Sequence, residues 1–110
     1  MNIVPLPAAA AAARSARPDR AATAMLHDSD DLRAVIFRLE PGPHVAEHTS
    51  PSTVALTVIA GEGWVSGADG ERAVTTVDLV TYEPNEPHGM RAGETPMVLL
   101  ATIAPRPGGR

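Results

Sequence analysis

The chain of 110 residues contains no cysteine. That absence removes disulfides, thiolate zinc sites, iron–sulfur centres and cysteine nucleophiles together. Lysine is absent as well: all 9 basic residues are arginine, against 13 acidic ones, for a net charge of -4. Long hydrophobic runs are missing too. The longest, Leu6–Ala13, is mostly alanine, whereas a bilayer span needs about 20 apolar residues. Arg14 and Arg17 follow that run instead of preceding it, so it lacks the positive n-region of an export signal. A cytoplasmic protein with no membrane partner is the expectation.

The charge that is present is unevenly placed. Residues 1–24 carry three arginines and one aspartate, net +2; residues 25–110 carry six arginines and twelve acids, net -6. An acidic body argues against nucleic acid as a partner, since that affinity comes largely from neutralising phosphates. It leaves a small ligand or a metal open. The length fits one domain with one modest core, which a second subunit would help to bury.

Three segments are expected: a low-complexity Ala/Pro/Arg stretch over 1–19, a β domain over 20–105 and a tail over 106–110. In the first, Pro7 suits a first helical position and Ala8–Ala13 have the best helix propensity. Arg14 and Arg17 would sit near the end of that helix and suit its dipole. With little to pack against by itself, the segment is either frayed or docked on the body or a neighbour.

From Arg20 onward the pattern is of short strands between glycine and proline turns. Ala24–His27, Leu32–Leu39, Thr53–Ile59, Trp64–Ser66, Arg72–Val77, Leu79–Tyr82, His88–Arg91 and Met97–Ala104 all read as extended. His44–Ser52 reads as a polar, proline-punctuated connection. Asp69–Gly70 predicts a hairpin with a primed turn. No crossover helices separate these strands, so the fold class is all-β, an antiparallel sandwich or small barrel.

In this frame the chain resembles a small single-domain cupin. The family's first motif matches Pro41–Gly42, His48, the strand Thr53–Ile59 and Gly61–Glu62–Gly63. Its second matches Val77–Asp78, Leu79–Tyr82, Pro84–Asn85–Glu86–Pro87 and His88, and Leu99–Thr102 resembles the closing strand. The resemblance implies a cupin-type jelly-roll antiparallel β-barrel with a short N-terminal helical or disordered segment. It also implies homodimer formation through sheet edges.

The departures bear on function. Ser50 stands where the family has a second histidine, and apolar Val54 or Ala55 stands near the usual glutamate. Val77 and Asn85 replace glycines. Asparagine tolerates positive φ, so the second exchange is structurally cheap. Of four expected metal ligands only His48 and His88 remain, and the metal-binding motif is degenerate.

His48 and His88 are expected to meet on the inner wall. Two imidazoles bind a divalent transition metal (nickel, zinc, copper, iron or manganese) weakly, while most protein sites use three or four ligands. His44 is a candidate third metal ligand; it shares strand parity with His48 but lies two steps away, about 13 Å if extended. Glu47 would point opposite to His48. The function expected is small-molecule binding inside the barrel near His48 and His88, with Met90, Tyr82 and Ser50 as further ligand-binding residues. The alternative is a metal-dependent enzyme of dioxygenase, isomerase or decarboxylase type acting on a small organic substrate. A histidine could also serve as general base, since imidazole titrates near neutrality. Asp78 is expected to hold a turn. Thr57 and Tyr82 could line the interior or simply pack, and Trp64 could sit at a rim, at a subunit contact or in plain packing.

Overall fold

A computed structural model describes residues 1–15, 17, 20–42 and 44–108, with His44 described in its backbone alone. Ala16, Pro18, Asp19, Pro43, Gly109 and Arg110 lie outside the described residues, and with them parts of the anticipated terminal segments. Among the described residues one helix, α1 (Leu6–Ala12), precedes nine strands. These are β1 (Ala22–Asp28), β2 (Arg33–Leu39), β3 (His44–His48), β4 (Thr53–Ala60) and β5 (Glu62–Gly67), followed by β6 (Gly70–Thr75), β7 (Leu79–Tyr82), β8 (His88–Ala92) and β9 (Met97–Ala104).

The strands form two antiparallel sheets, β1-β2-β9-β4-β7 and β3-β8-β5-β6. The long strand at Thr53 and the last strand lie side by side in the centre of the first sheet, as their β-branched content suits. Alternation selects the inner face. Val54, Leu56 and Val58 of β4 are buried while Thr53 and Ala60 are exposed. With Leu39, Met97, Leu99, Ala101, Tyr82, Val65, Met90 and Ala92 they form the core between the sheets.

A second core lies on the outer face of the first sheet. Ala10 of α1 packs there with Ile36 and Val98, flanked by Leu6, Ala9, Ala24, Leu26, Ile59 and Leu100. The N-terminal segment is therefore docked on the body. Arg14 lies beyond the last helical turn, yet its Nη1 donates to the carbonyls of Ala12 and Ala13 at 2.9 and 3.0 Å. Arg38 Nη1 reaches up from β2 to the carbonyl of Ala10.

Two connections differ from expectation. His44–His48 is a strand, paired with β8. The hairpin after β5 has Ala68–Asp69 in the turn, closed by Gly67 opposite Gly70, and the positive φ falls on Gly70 alone, at 102°. A primed turn would need positive φ at Ala68 or at both central residues, which alanine resists; the glycine that follows them takes the positive φ instead.

Candidate functional site

The site begins with a bulge. In β3, Val45 pairs with Met90 and His48 pairs with His88, so three steps on one strand match two on the other. The extra residue shifts the parity of β3 and brings His48 into line with Val45. Gly89 makes room for it. A Cβ there would meet Ser66 Oγ and Val45 O at 2.9 Å each and Glu47 N at 3.2 Å. Parity counting along a regular strand puts His44 with His48; the bulge breaks that count, and the backbone pairs His44 with Arg91. Its expected role as third metal ligand concerns a side chain outside the described residues. Glu47 lines a separate depression with Glu71 and Arg91.

His88 is placed by the turn before it. Asn85 takes φ 66° and its N–H donates to Ser50 O at 2.7 Å. The Glu86 carboxylate accepts from the N–H groups of Glu83 and Ala68 at 3.1 and 3.3 Å. The Glu86 carbonyl accepts from His88 Nδ1 at 3.1 Å. His48 Nδ1 likewise donates to Ala46 O at 3.1 Å. A carbonyl oxygen can only accept, so each Nδ1 carries the hydrogen, and in the neutral ring the lone pair is left on Nε2. The two rings lie 4.2 Å apart at 60°. His88 is buried and His48 is exposed at the rim. Among the described residues neither Nε2 has a protein partner, and no fully buried side-chain nitrogen or oxygen is left unpaired. The free ring edge of His88 therefore faces open space.

That space is a cleft of about 260 Å³. Its walls are apolar: Phe37, Val54, Leu56, Met90, Ala101 and Ile103. Its polar end is His48, His88, Thr49 and Ser50, with Pro51 and Pro107 completing the lining. Val54, not Ala55, thus occupies the wall near which the family's glutamate falls. Ser50 Oγ accepts from Ser52 N at 3.2 Å, leaving its hydrogen free. Among the described residues no acidic or arginine side chain lines the cleft.

Tyr82 stands behind His88, its ring 5.0 Å away, and donates its hydroxyl to Ser66 O at 2.9 Å. It lines a different depression, on the side of Asp69 and Glu86. Burial pushes its phenol up to about 12, with the nearby carboxylates of Glu86, Asp69 and Glu47 adding to the effect. Thr57 pairs with Leu79 and Leu100 and does not line the cleft. Trp64 packs under the Arg91 guanidinium, 3.9 Å from its centroid, and Arg91 is held by Glu71. Asp78 holds its turn, accepting from Thr75 N at 2.8 Å.

Sequence reasoning missed the apolar lining from β2, β4 and β9, and the part of Glu86 in fixing His88. Alternation marks Phe37, Val54, Leu56, Ala101 and Ile103 as inward, but does not say which of them border a void. Glu86 carried a signal, a carboxylate between two turn residues. As for a metal, no group of three His, Asp or Glu side chains gathers among the described residues. Two imidazoles with anchored Nδ1 atoms supply half of a four-ligand set, so the described residues do not fit an intact centre.

No helix among the described residues is long and apolar enough to cross a membrane. No curated protein matches the chain. Solved structures do. The TT1209 protein of Thermus thermophilus is 25% identical and superimposes with a TM-score of 0.86, covering 97% of this chain and 100% of that one. An RmlC-like cupin from Desulfovibrio desulfuricans is 26% identical, with a TM-score of 0.75 over 86% of this chain and 92% of its own. A Klebsiella pneumoniae protein with a double-stranded β-helix domain, at 19% identity and a TM-score of 0.84, spans 100% of this chain and 94% of its own and shows the shared fold. The cupin domain family matches residues 35–103. That match covers more than half of the chain and makes the protein a member of the cupin family, one whose described residues form no intact metal-binding triad.

Proposed function

We propose that the protein binds a small, neutral, largely apolar molecule in the cleft near His48 and His88 and anchors its hydroxyl by donation to the Nε2 atom of His88, with the His48 ring beside it at the rim. The observation that carries this is the chemistry of the lining. Two hydrogen-bond acceptors stand at one end of an apolar cleft that, among the described residues, no acidic or arginine side chain lines. An anionic ligand would lose its hydration with no cation among the described lining residues to replace it. A neutral hydroxyl donates to Nε2 and keeps its apolar remainder against Leu56, Met90 and Ile103. By comparison with an engineered apolar cavity of about 150 Å³ that holds benzene, the cleft has room for roughly ten non-hydrogen atoms. Ser50 and Met90 belong to this site; Tyr82 supports it from behind. Closure of the two sheets into a cupin jelly-roll barrel around the ligand, residence in the cytoplasm and pairing of two chains through sheet edges complete the reading. The exposed Met25 on β1 and Leu79 on β7, both edge strands, support the pairing, and sedimentation equilibrium tests it.

The test of binding uses 4-ethylphenol and its methyl ether, followed by calorimetry and by the imidazole nitrogen resonances. The phenol is expected to bind about tenfold more tightly than the ether, the worth of one good hydrogen bond. His88→Leu should abolish that difference. Equal affinity for the two probes, or none for either, overturns the proposal.

A second reading, a divalent ion held by the two Nε2 atoms, is favoured by the anchored Nδ1 atoms, which is how metal-binding imidazoles are commonly oriented. It predicts metal retention, measured by elemental mass spectrometry after incubation with nickel, zinc, copper, iron or manganese. Loss of that metal in the His48→Ala, His88→Ala double variant would support it. Absence of metal in the wild-type protein would sink it.

A further inference from the structure

We propose that the segment Pro105–Pro107 is a strap that closes one side of the cleft, with Arg106 as its latch and Pro107 as the residue that limits ligand length. β9 ends at Ala104, so the strap lies outside the sheet ladder. It crosses one end of the sandwich and is tied there to two loops. Ser52 Oγ, buried, donates to Pro105 O. Arg106 N–H donates to Asp30 O at 3.3 Å. The Arg106 guanidinium grips the Asp28 carboxylate through Nε at 2.6 Å and Nη2 at 3.3 Å. Pro107 then enters the cleft lining beside the strands and the Thr49–Pro51 loop.

The sequence explains why the latch is Arg106. Proline has no N–H, so Pro105 and Pro107 can donate nothing from the backbone. Arg106 supplies the only backbone donor among the three and the only charge. Its ion pair is partly exposed, at 30% for the arginine and 33% for the aspartate side chain. Such pairs are weak and screened by salt. Asp28 also keeps a second partner, Arg33, at 3.3 Å, so it is not left unpaired when Arg106 lets go. A segment with few ladder bonds and a weak ion pair opens locally far more often than the sheets unfold. Opening moves Pro107 out of the cleft and exposes the route to His88.

The length-limiting part rests on the proposed binding of a neutral molecule; the latch does not. The experiment separates the two. Diethyl pyrocarbonate acylates the unprotonated imidazole nitrogen, and peptide mass spectrometry gives the rate at His88, with N-acetylhistidine in the same tube as clock. Arg106→Ala should raise the His88 rate about fivefold, the weight of one surface ion pair, and Arg106→Lys should restore part of the protection. Circular dichroism checks that each variant is folded; should Arg106→Ala not fold, Asp28→Asn, which removes the carboxylate that Arg106 grips, gives the same reading of His88. Unchanged His88 rates in the folded variants overturn the latch. In Pro107→Gly, 4-hexylphenol should gain affinity while 4-ethylphenol does not; equal effects on both overturn the length limit. If neither phenol binds the wild-type protein, the ligand assignment and the length limit fail together, and the acylation rates still decide the latch.

Discussion

Val77 holds a β-branched side chain at φ 66°, in the turn where its N–H donates to Val58 O at 2.8 Å and Asp78 N–H to Thr75 O at 3.0 Å. The left-handed region crowds any Cβ and crowds a branched one most. The side chain is 84% exposed, so it returns little by burial. Val77→Gly should therefore stabilise the protein by about 1 kcal/mol, the strain relieved less the entropy glycine adds to the unfolded chain. That corresponds to a rise of about 5 °C in Tm. Val77→Ala should gain less, because it keeps a Cβ, and a calorimetric scan in which both variants melt below wild type would contradict the assignment. Tyr82 offers a second residue-scale measurement, since it is the only tyrosine in the chain. An alkaline spectrophotometric titration should place its phenol at about 12, well above the free value of 10.0. The folded state then holds a proton that the unfolded state has released. Stability contributed by this group is intact below pH 10 and is lost as pH rises toward 12. Tyr82→Phe should flatten that part of the urea-midpoint profile; a profile that keeps its slope assigns the loss to other groups.

At the scale of elements, the histidine pair depends on a bulge pressed against Gly89. A methyl group at this position would meet backbone of β3 and the Ser66 hydroxyl at 2.9 Å. Gly89→Ala should cost about 1–3 kcal/mol, as overpacking does, and should push β3 and His48 away from His88. The coupled prediction is loss of the 4-ethylphenol preference with the far-UV spectrum retained; a variant of wild-type stability that still prefers the phenol would show that β3 does not depend on this glycine. The same elements show how much could be read in advance. The sheets were legible because Val54, Leu56 and Val58 alternate with less buried neighbours and because glycine and proline punctuate the strands. That His48 and His88 would meet was legible from the cupin-like spacing. The bulge was not, since an extra residue in a polar strand leaves no mark in composition or periodicity, and His44 was aligned with His48 on a parity that the bulge breaks. Burial also exceeded the alternation at β9. Met97, Val98 and Leu99 are all buried because that strand is covered on both faces, and a two-sided strand looks only like an apolar run.

The cover on the outer face is α1, and it bears on the whole molecule. A seven-residue helix is far below the length at which helices persist alone in water. Its helicity must come from docking. Ala10 is buried against Ile36 and Val98, which are themselves 0% and 8% exposed, and Arg38 ties the end of the helix to β2. The small domain thus has two cores separated by one sheet, with the helix serving as the lid of the second. Removing residues 1–13 would return Ile36 and Val98 to water on the first sheet. Burial of two such side chains stabilises by about 1.5–3 kcal/mol each, so the truncated protein should lose about 3 kcal/mol or more in urea unfolding. It should also self-associate, because the uncovered face joins Leu100 and Ile59 into one apolar patch. The cleft lies on the other side of that sheet, lined by Phe37, Leu56 and Ala101. The truncated protein in its folded, monomeric fraction should therefore keep the preference for the phenol over its ether. An unchanged urea midpoint would show that the helix rides on the sheet without supporting it. Loss of the preference alongside a lower midpoint would show that the two cores are coupled through the shared side chains of β2 and β9.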